Sequence, residues 1–123
     1  MPYVNFTANP KNETNDCAIR SIAKATGRPW QDVMREMCDI AIEMCLMPND
    51  TKVIDEYMYK RKIFVYSPLE RTTVSEFAQK NPEGAYVVCC EDHAVPIVDG
   101  TWYDLTDSKD SIVVDYYEVK PEV

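Results

Sequence analysis

The sequence predicts an α+β fold, with N-terminal helices packed on a C-terminal antiparallel β-sheet. In the first half of the chain, apolar residues recur at helical spacing. In the second half, short runs rich in β-branched and aromatic residues are separated by turn signals. The length of 123 residues, the 46% hydrophobic content and the lack of repeats or flexible linkers predict one domain spanning residues 1–123.

Three helices are predicted before the sheet. The first begins after the capping residues Asn15 and Asp16 and ends at Gly27. The second begins at Pro29 and ends just before Pro48, and the third follows the capping segment 49–51. The apolar stripe of the second helix includes Cys38 and Cys45, so both thiols are expected in the core. Arg20 is expected on a solvated face of the first helix, with a pairing to an acid near the cleft as the alternative.

The second half is predicted to hold five strands and one short helix. The predicted strands are Lys62 to Tyr66, Ala85 to Cys90, His93 to Val98, Thr101 to Leu105, and Ser111 to Val119. Thr73 and Glu76 have the spacing of a capping box, which predicts a helix ending near Asn81. Asp99 and Gly100 form a two-residue hairpin signal, and the strands are expected to follow one another as a meander.

Composition excludes several functional classes. The chain has 21 acidic and 13 basic residues, a net charge of −8, which argues against nucleic-acid and anionic-membrane binding because both need a cationic face. No secretory signal, lipidation motif or membrane-spanning run is present, so a cytoplasmic protein with reduced thiols is predicted. The five cysteines, which include the adjacent pair Cys89 and Cys90 but no C-x-x-C pair, and the single histidine do not have the spacing of a zinc site.

Cys17 and His93 are the candidate reactive groups. Cys17 falls in the first turn of a predicted helix, where unpaired N–H groups and the helix dipole favour a thiolate. His93 begins a predicted strand next to the Asp99–Gly100 hairpin. Either side chain could instead be structural, Cys17 as a small packed residue and His93 as a solvated one.

Two carboxylates in the partner strand could orient His93. A regular two-residue turn pairs His93 with Thr106 and places Asp104 on the same face of the sheet, whereas one bulge would bring Asp107 opposite His93. Both candidates stay open at this stage. A helix-start Cys, a later strand-start His and an acid in the next strand follow the order of a papain-like triad.

Two segments carry a specific resemblance. NDCAIRSIAKATG, residues 15–27, and HAVPIVDGTWYDLTDS, residues 93–108, resemble the Cys and His boxes of small papain-like proteins of phage and bacterial genomes. They are also similar, more distantly, to the peptidase domains of bacteriocin-processing ABC transporters and to Josephin deubiquitinases. By position the resemblance implies Cys17 as nucleophile, His93 as base and Asp107 as orienting acid, with Asp104 kept as the alternative.

The resemblance also implies an oxyanion donor ahead of the nucleophile. Papain-like enzymes generally place a Gln five or six residues before the Cys, and here Lys11 and Asn12 stand there. Asn12, or Asn15 nearer to the Cys, is therefore the expected amide donor beside the Cys17 N–H. The family often has glycine before the His, and this chain has Asp92.

The predicted function is a cysteine-dependent hydrolase of amide, peptide or isopeptide bonds that acts on a peptide or protein substrate and needs no cofactor. The same triad also runs transamidation and deamidation, which remain alternatives. A different class is a non-catalytic acidic binding or inhibitor protein, encoded by a phage, that uses a papain-like scaffold and its charge to cover a basic surface. The sequence leaves the oligomeric state open.

Overall fold

The structure is a computed structural model, and it describes residues 2–8 and 16–120. Its described part is a mixed α+β fold with four helices and a six-stranded sheet. The elements in chain order are β1 (Tyr3–Asn5), α1 (Cys17–Thr26), α2 (Trp30–Met44), α3 (Thr51–Lys60), β2 (Val65–Tyr66), α4 (Val74–Lys80), β3 (Ala85–Cys90), β4 (His93–Val98), β5 (Thr101–Asp104) and β6 (Asp115–Val119).

The sheet differs from the predicted C-terminal antiparallel meander. Its strand order is β1-β5-β4-β3-β6-β2, so β6 does not follow β5 but crosses over to pair with β3. β1 pairs in parallel with β5, and β2 adds an edge strand from the middle of the chain. The sheet is therefore mixed, and the expectation of a purely antiparallel, C-terminal sheet was wrong. β2 lies within the predicted strand Lys62 to Tyr66, whereas the three-residue β1 is too short to give a periodic sequence signal.

The β4–β5 hairpin has the register that a two-residue turn dictates. Val98 pairs with Thr101 and Ile97 with Trp102. Asp99 and Gly100 both have positive φ, 50° and 77°, which is the conformation of a type I′ turn. This register fixes where β5 ends relative to the first residue of β4.

The sheet lies between two apolar layers. On one side, α1, α2 and α3 bury a cluster against β3, β4 and β6. On the other, α4 packs against the opposite side chains of β3, β4 and β5. The fully buried side chains of these layers include Ile22, Met37, Met58, Val88 and Ile97. Alternation along β3, where Val87 joins the first cluster and Val88 the second, explains its nearly continuous apolar sequence.

The predicted boundaries of the helices were close to the observed ones. Gly27 ends α1 in the left-handed conformation, and Thr73 and Glu76 form the expected capping box of α4. The prediction that Cys45 lies on the buried stripe of α2 was wrong, because Cys45 follows the last residue of the helix with φ 58° and is exposed. In the described part of the chain, no helix is long and apolar enough to cross a membrane.

Candidate active site

Cys17 is the first residue of α1. Asp16 stands at the cap position, but its side chain makes no capping bond, because it is turned toward Arg20 and Trp30. The Cys17 thiol is half-buried and forms hydrogen bonds with the His93 side chain and the backbone of Ala94. The bond with His93 is the main cause that lowers the pKa of Cys17, and it outweighs the opposing effect of burial.

His93 is the first residue of β4, and its imidazole lies between a thiol and a carboxylate. Nε2 is 2.7 Å from the Asp104 carboxylate oxygen Oδ2, which leaves Nδ1 for the Cys17 thiol. The hydrogen bond with Asp104, followed by the one with Cys17, raises the pKa of His93 to about 9. Near neutral pH the imidazole is therefore protonated, and it favours the thiolate form of Cys17.

Asp104 ends β5 and has only 1% of its side chain exposed. Its Oδ1 accepts a hydrogen bond of 2.7 Å from the Leu105 N–H and one of 3.3 Å from the Arg20 guanidinium. Burial by itself raises the pKa of Asp104, but the hydrogen bonds with His93 and Leu105 outweigh it and hold the pKa below its usual range. Asp104 is thus an ionised acceptor fixed on three sides.

The structure separates the two acids that the sequence left open. Asp104, favoured by hairpin register, contacts His93. Asp107, favoured by the resemblance, is exposed and accepts hydrogen bonds from Trp102 Nε1 at 3.0 Å and from the Lys109 N–H at 3.1 Å. Asp107 therefore orders the loop after β5 and is not in the position of an orienting acid.

Arg20 belongs to the site, as the alternative in the sequence analysis had it, through its pairing with acids beside the reacting groups. It is 1% exposed, so its expected placement on a solvated helix face was wrong. One guanidinium nitrogen, Nη1, is 2.6 Å from Asp16 Oδ1, and the other, Nη2, is 3.3 Å from Asp104 Oδ1. A usable signal was the spacing of Asp16 and Arg20, which stand four residues apart across the first turn of α1.

The other four cysteines lack the environment of Cys17. All five cysteines are free. Burial raises the pKa of Cys89 to about 12 and that of Cys90 to about 11, so both remain thiols. Cys38 is half-buried and Cys45 is exposed at the end of α2. Cys17 is the thiol whose pKa is lowered.

Asn12 and Asn15, the predicted oxyanion donors, lie outside the described residues, as does Lys11. Within residues 2–8 and 16–120, no group of three or more His, Cys, Asp or Glu side chains is arranged to hold a metal ion.

Comparison of the chain with protein-family models, with curated proteins and with solved structures gives no match.

Proposed function

We propose that this protein is a papain-like cysteine hydrolase of amide, peptide or isopeptide bonds, with Cys17 as nucleophile, His93 as general acid and base, and Asp104 as orienting acid. The observation that carries the proposal is the continuous contact from Asp104 through His93 to Cys17. In it the pKa of the imidazole is raised and the pKa of the thiol is lowered, which is what an activated thiol requires.

The reaction has two steps. The Cys17 thiolate attacks the carbonyl carbon, and the imidazolium of His93 gives its proton to the departing amine, leaving a thioester. Neutral His93 then takes a proton from water, whose oxygen attacks the thioester, and Cys17 leaves as a thiolate beside the restored imidazolium. The N–H of Cys17, with Asn12 or Asn15, is the proposed donor pair for the oxyanion.

An amine in place of water would give transamidation, and a primary amide in place of a peptide bond would give deamidation, through the same thioester. The proposed setting is the cytoplasm of a bacterial cell, with a phage or bacterial gene as the source.

The net charge of −8 favours one other candidate, because the triad does not use it. An acidic, non-catalytic binding protein on the same scaffold would occupy a basic surface of another protein, and its complex would weaken with salt. Such a complex would survive replacement of Cys17 by Ala, whereas hydrolysis would not.

The test is a map of thiol alkylation at pH 6, with iodoacetamide and with an epoxide electrophile for thiol proteases, read by mass spectrometry of the intact protein and its peptides. We expect one modification, at Cys17, because ordinary thiols with a pKa near 8.5 are almost fully protonated at that pH. His93→Ala should abolish the fast modification, and Cys45→Ser should leave it unchanged because Cys45 is an exposed thiol at the end of α2.

Faster labelling of Cys45 than of Cys17, or equal labelling of Cys17 in the His93→Ala variant, would contradict the proposal. A positive result leads to incubation with peptide, isopeptide and primary-amide substrates, where release of amine or ammonia, compared with Cys17→Ala, identifies the bond that is broken.

A further inference from the structure

We propose that Arg20 is a positioning residue of the active site, whose guanidinium bridges Asp16 and Asp104, fixes the place of the carboxylate that orients His93, and balances part of the negative charge around it. The inference rests on the proposed function of the triad, but it concerns a residue that takes no part in the chemistry.

The geometry of Arg20 links the nucleophile to the orienting acid. Asp16 immediately precedes Cys17, and Asp104 bonds His93, so the two arms of one guanidinium reach the neighbours of both reacting groups. Asp16 is itself held from α2, since its Oδ2 accepts a hydrogen bond of 2.9 Å from Trp30 Nε1. The start of α1 is thus tied to the end of β5 at a fixed separation.

Arginine suits this place better than lysine. A guanidinium is planar and offers donors in two directions, so it can hold two carboxylates at once, whereas an ammonium concentrates its charge at one point. Arg20, Asp16 and Asp104 are all buried, so water screens their charges little.

Charge balance gives Arg20 its measurable effect. The groups that face His93 are Asp104 and Cys17, and those that face Asp104 are His93 and Arg20, with Cys90 nearby. Arg20 also lowers the pKa of Cys17 through its charge. When the thiolate and the imidazolium are formed, this group holds three negative charges, on Asp16, Asp104 and Cys17, and two positive charges, on Arg20 and His93. Loss of Arg20 would leave His93 as the one cation among them.

Removing a positive charge near His93 makes its protonated form more favourable. Arg20→Met is therefore expected to raise the pKa of His93 by about one pH unit, the size of effect that a charge a few ångströms away exerts at a buried site. Asp16→Asn removes a negative charge from the same group and should lower the pKa of His93. Opposite shifts from the two partners of one ion pair are what a positional or stability effect alone would not produce.

The experiment is an NMR titration of the imidazole of His93, the one histidine in the chain, in a Cys17→Ala background. Without the thiol, one proton is titrated and no turnover enters the measurement. Arg20→Met should give the upward shift and Arg20→Lys less than half of it, because lysine keeps the charge.

The matched control is Arg28→Met. Arg28 also lies close to α1 and makes an ion pair, with Glu36, through two nitrogens, and it hydrogen-bonds Tyr57. Its replacement should leave the pKa of His93 unchanged.

An unchanged pKa of His93 in folded Arg20→Met, or an equal shift in Arg28→Met, would overturn the proposal. If Arg20→Met does not fold, Asp16→Asn provides the test. An unchanged or raised pKa of His93 in Asp16→Asn would overturn the proposal. The titration is made without the Cys17 thiol, so its result does not depend on the reactivity of Cys17. Slow alkylation of Cys17 in the wild-type protein would therefore contradict the proposed hydrolase but not the role of Arg20.

Discussion

Replacing Asp104 with Asn removes the charge that holds His93 protonated while it keeps the size of the side chain. Asn retains an oxygen for the Leu105 N–H, so the end of β5 should stay in place. The main cause of the raised pKa of His93, about 9, is its hydrogen bond with Asp104. Because one third of the His93 side chain is exposed, solvent screens part of this effect, and we expect the pKa to fall by about two pH units.

The consequence for Cys17 follows from the coupling between the two groups. Each pH unit lost from the pKa of His93 lowers the ratio of the thiolate–imidazolium pair to the neutral pair tenfold, so a fall of about two lowers it about 100-fold. The rate of Cys17 alkylation at pH 6 should drop by up to about the same factor. Alkylation rate and the NMR titration of His93 measure the two effects separately.

Asp107→Asn is the matched control, because Asp107 is the neighbouring acid that the resemblance favoured. Its carboxylate bonds Trp102 and Lys109, so its loss should change neither the pKa of His93 nor the alkylation rate. A fall in the pKa of His93 in Asp107→Asn together with an unchanged value in Asp104→Asn would refute the assignment of Asp104.

Two further predictions concern stability. In the Cys17→Ala protein, the hydrogen bond with Asp104 still raises the pKa of His93, so His93 contributes stability which is fully present below pH 6.5 and is lost as the pH rises through the raised pKa. The unfolding free energies of Cys17→Ala and Cys17→Ala/His93→Gln can be compared by urea unfolding at pH 6 and at pH 9.5. The advantage of the protein with His93 should be about 1 kcal/mol smaller at pH 9.5, a figure reduced for the partial exposure of His93. An advantage that grows with pH would contradict the predicted sign. Thr73→Ala removes the acceptor of the Glu76 N–H in the capping box and should cost about 1 kcal/mol of unfolding free energy, whereas Thr73→Ser, which keeps the hydroxyl, should cost much less. Equal losses in both variants would mean that the methyl group of Thr73, and not its hydroxyl, stabilises α4.

The local signals in the sequence located most of the elements. Periodicity and caps identified the four helices because their apolar faces and end residues are set by local chemistry. Turn chemistry at Asp99 and Gly100 fixed the register of β4 and β5, and with it the relation between His93 and Asp104. Reasoning from that register favoured the acid that the structure places against His93.

Non-local features were not predictable in the same way. The parallel pairing of β1 with β5 joins distant parts of the chain through backbone hydrogen bonds, which leave no mark in a three-residue segment. The burial of Arg20 depends on Asp104, a residue 84 positions later, which no helical pattern around Arg20 reveals. Cys45 was misplaced because the apolar pattern of α2 continues one residue past the point where the backbone leaves the helix.

The ion pair between Arg20 and Asp104 spans 84 residues, and Cys17 meets His93 across a similar length of chain. α1 can form early from local contacts, but the thiol acquires its low pKa only when the β4–β5 hairpin has docked beside it. Rapid alkylation of Cys17 at pH 6 during refolding would therefore show that the β4–β5 hairpin has docked on α1. A pulse of alkylating reagent at successive times would thus use the candidate nucleophile to measure the rate at which this long-range contact forms.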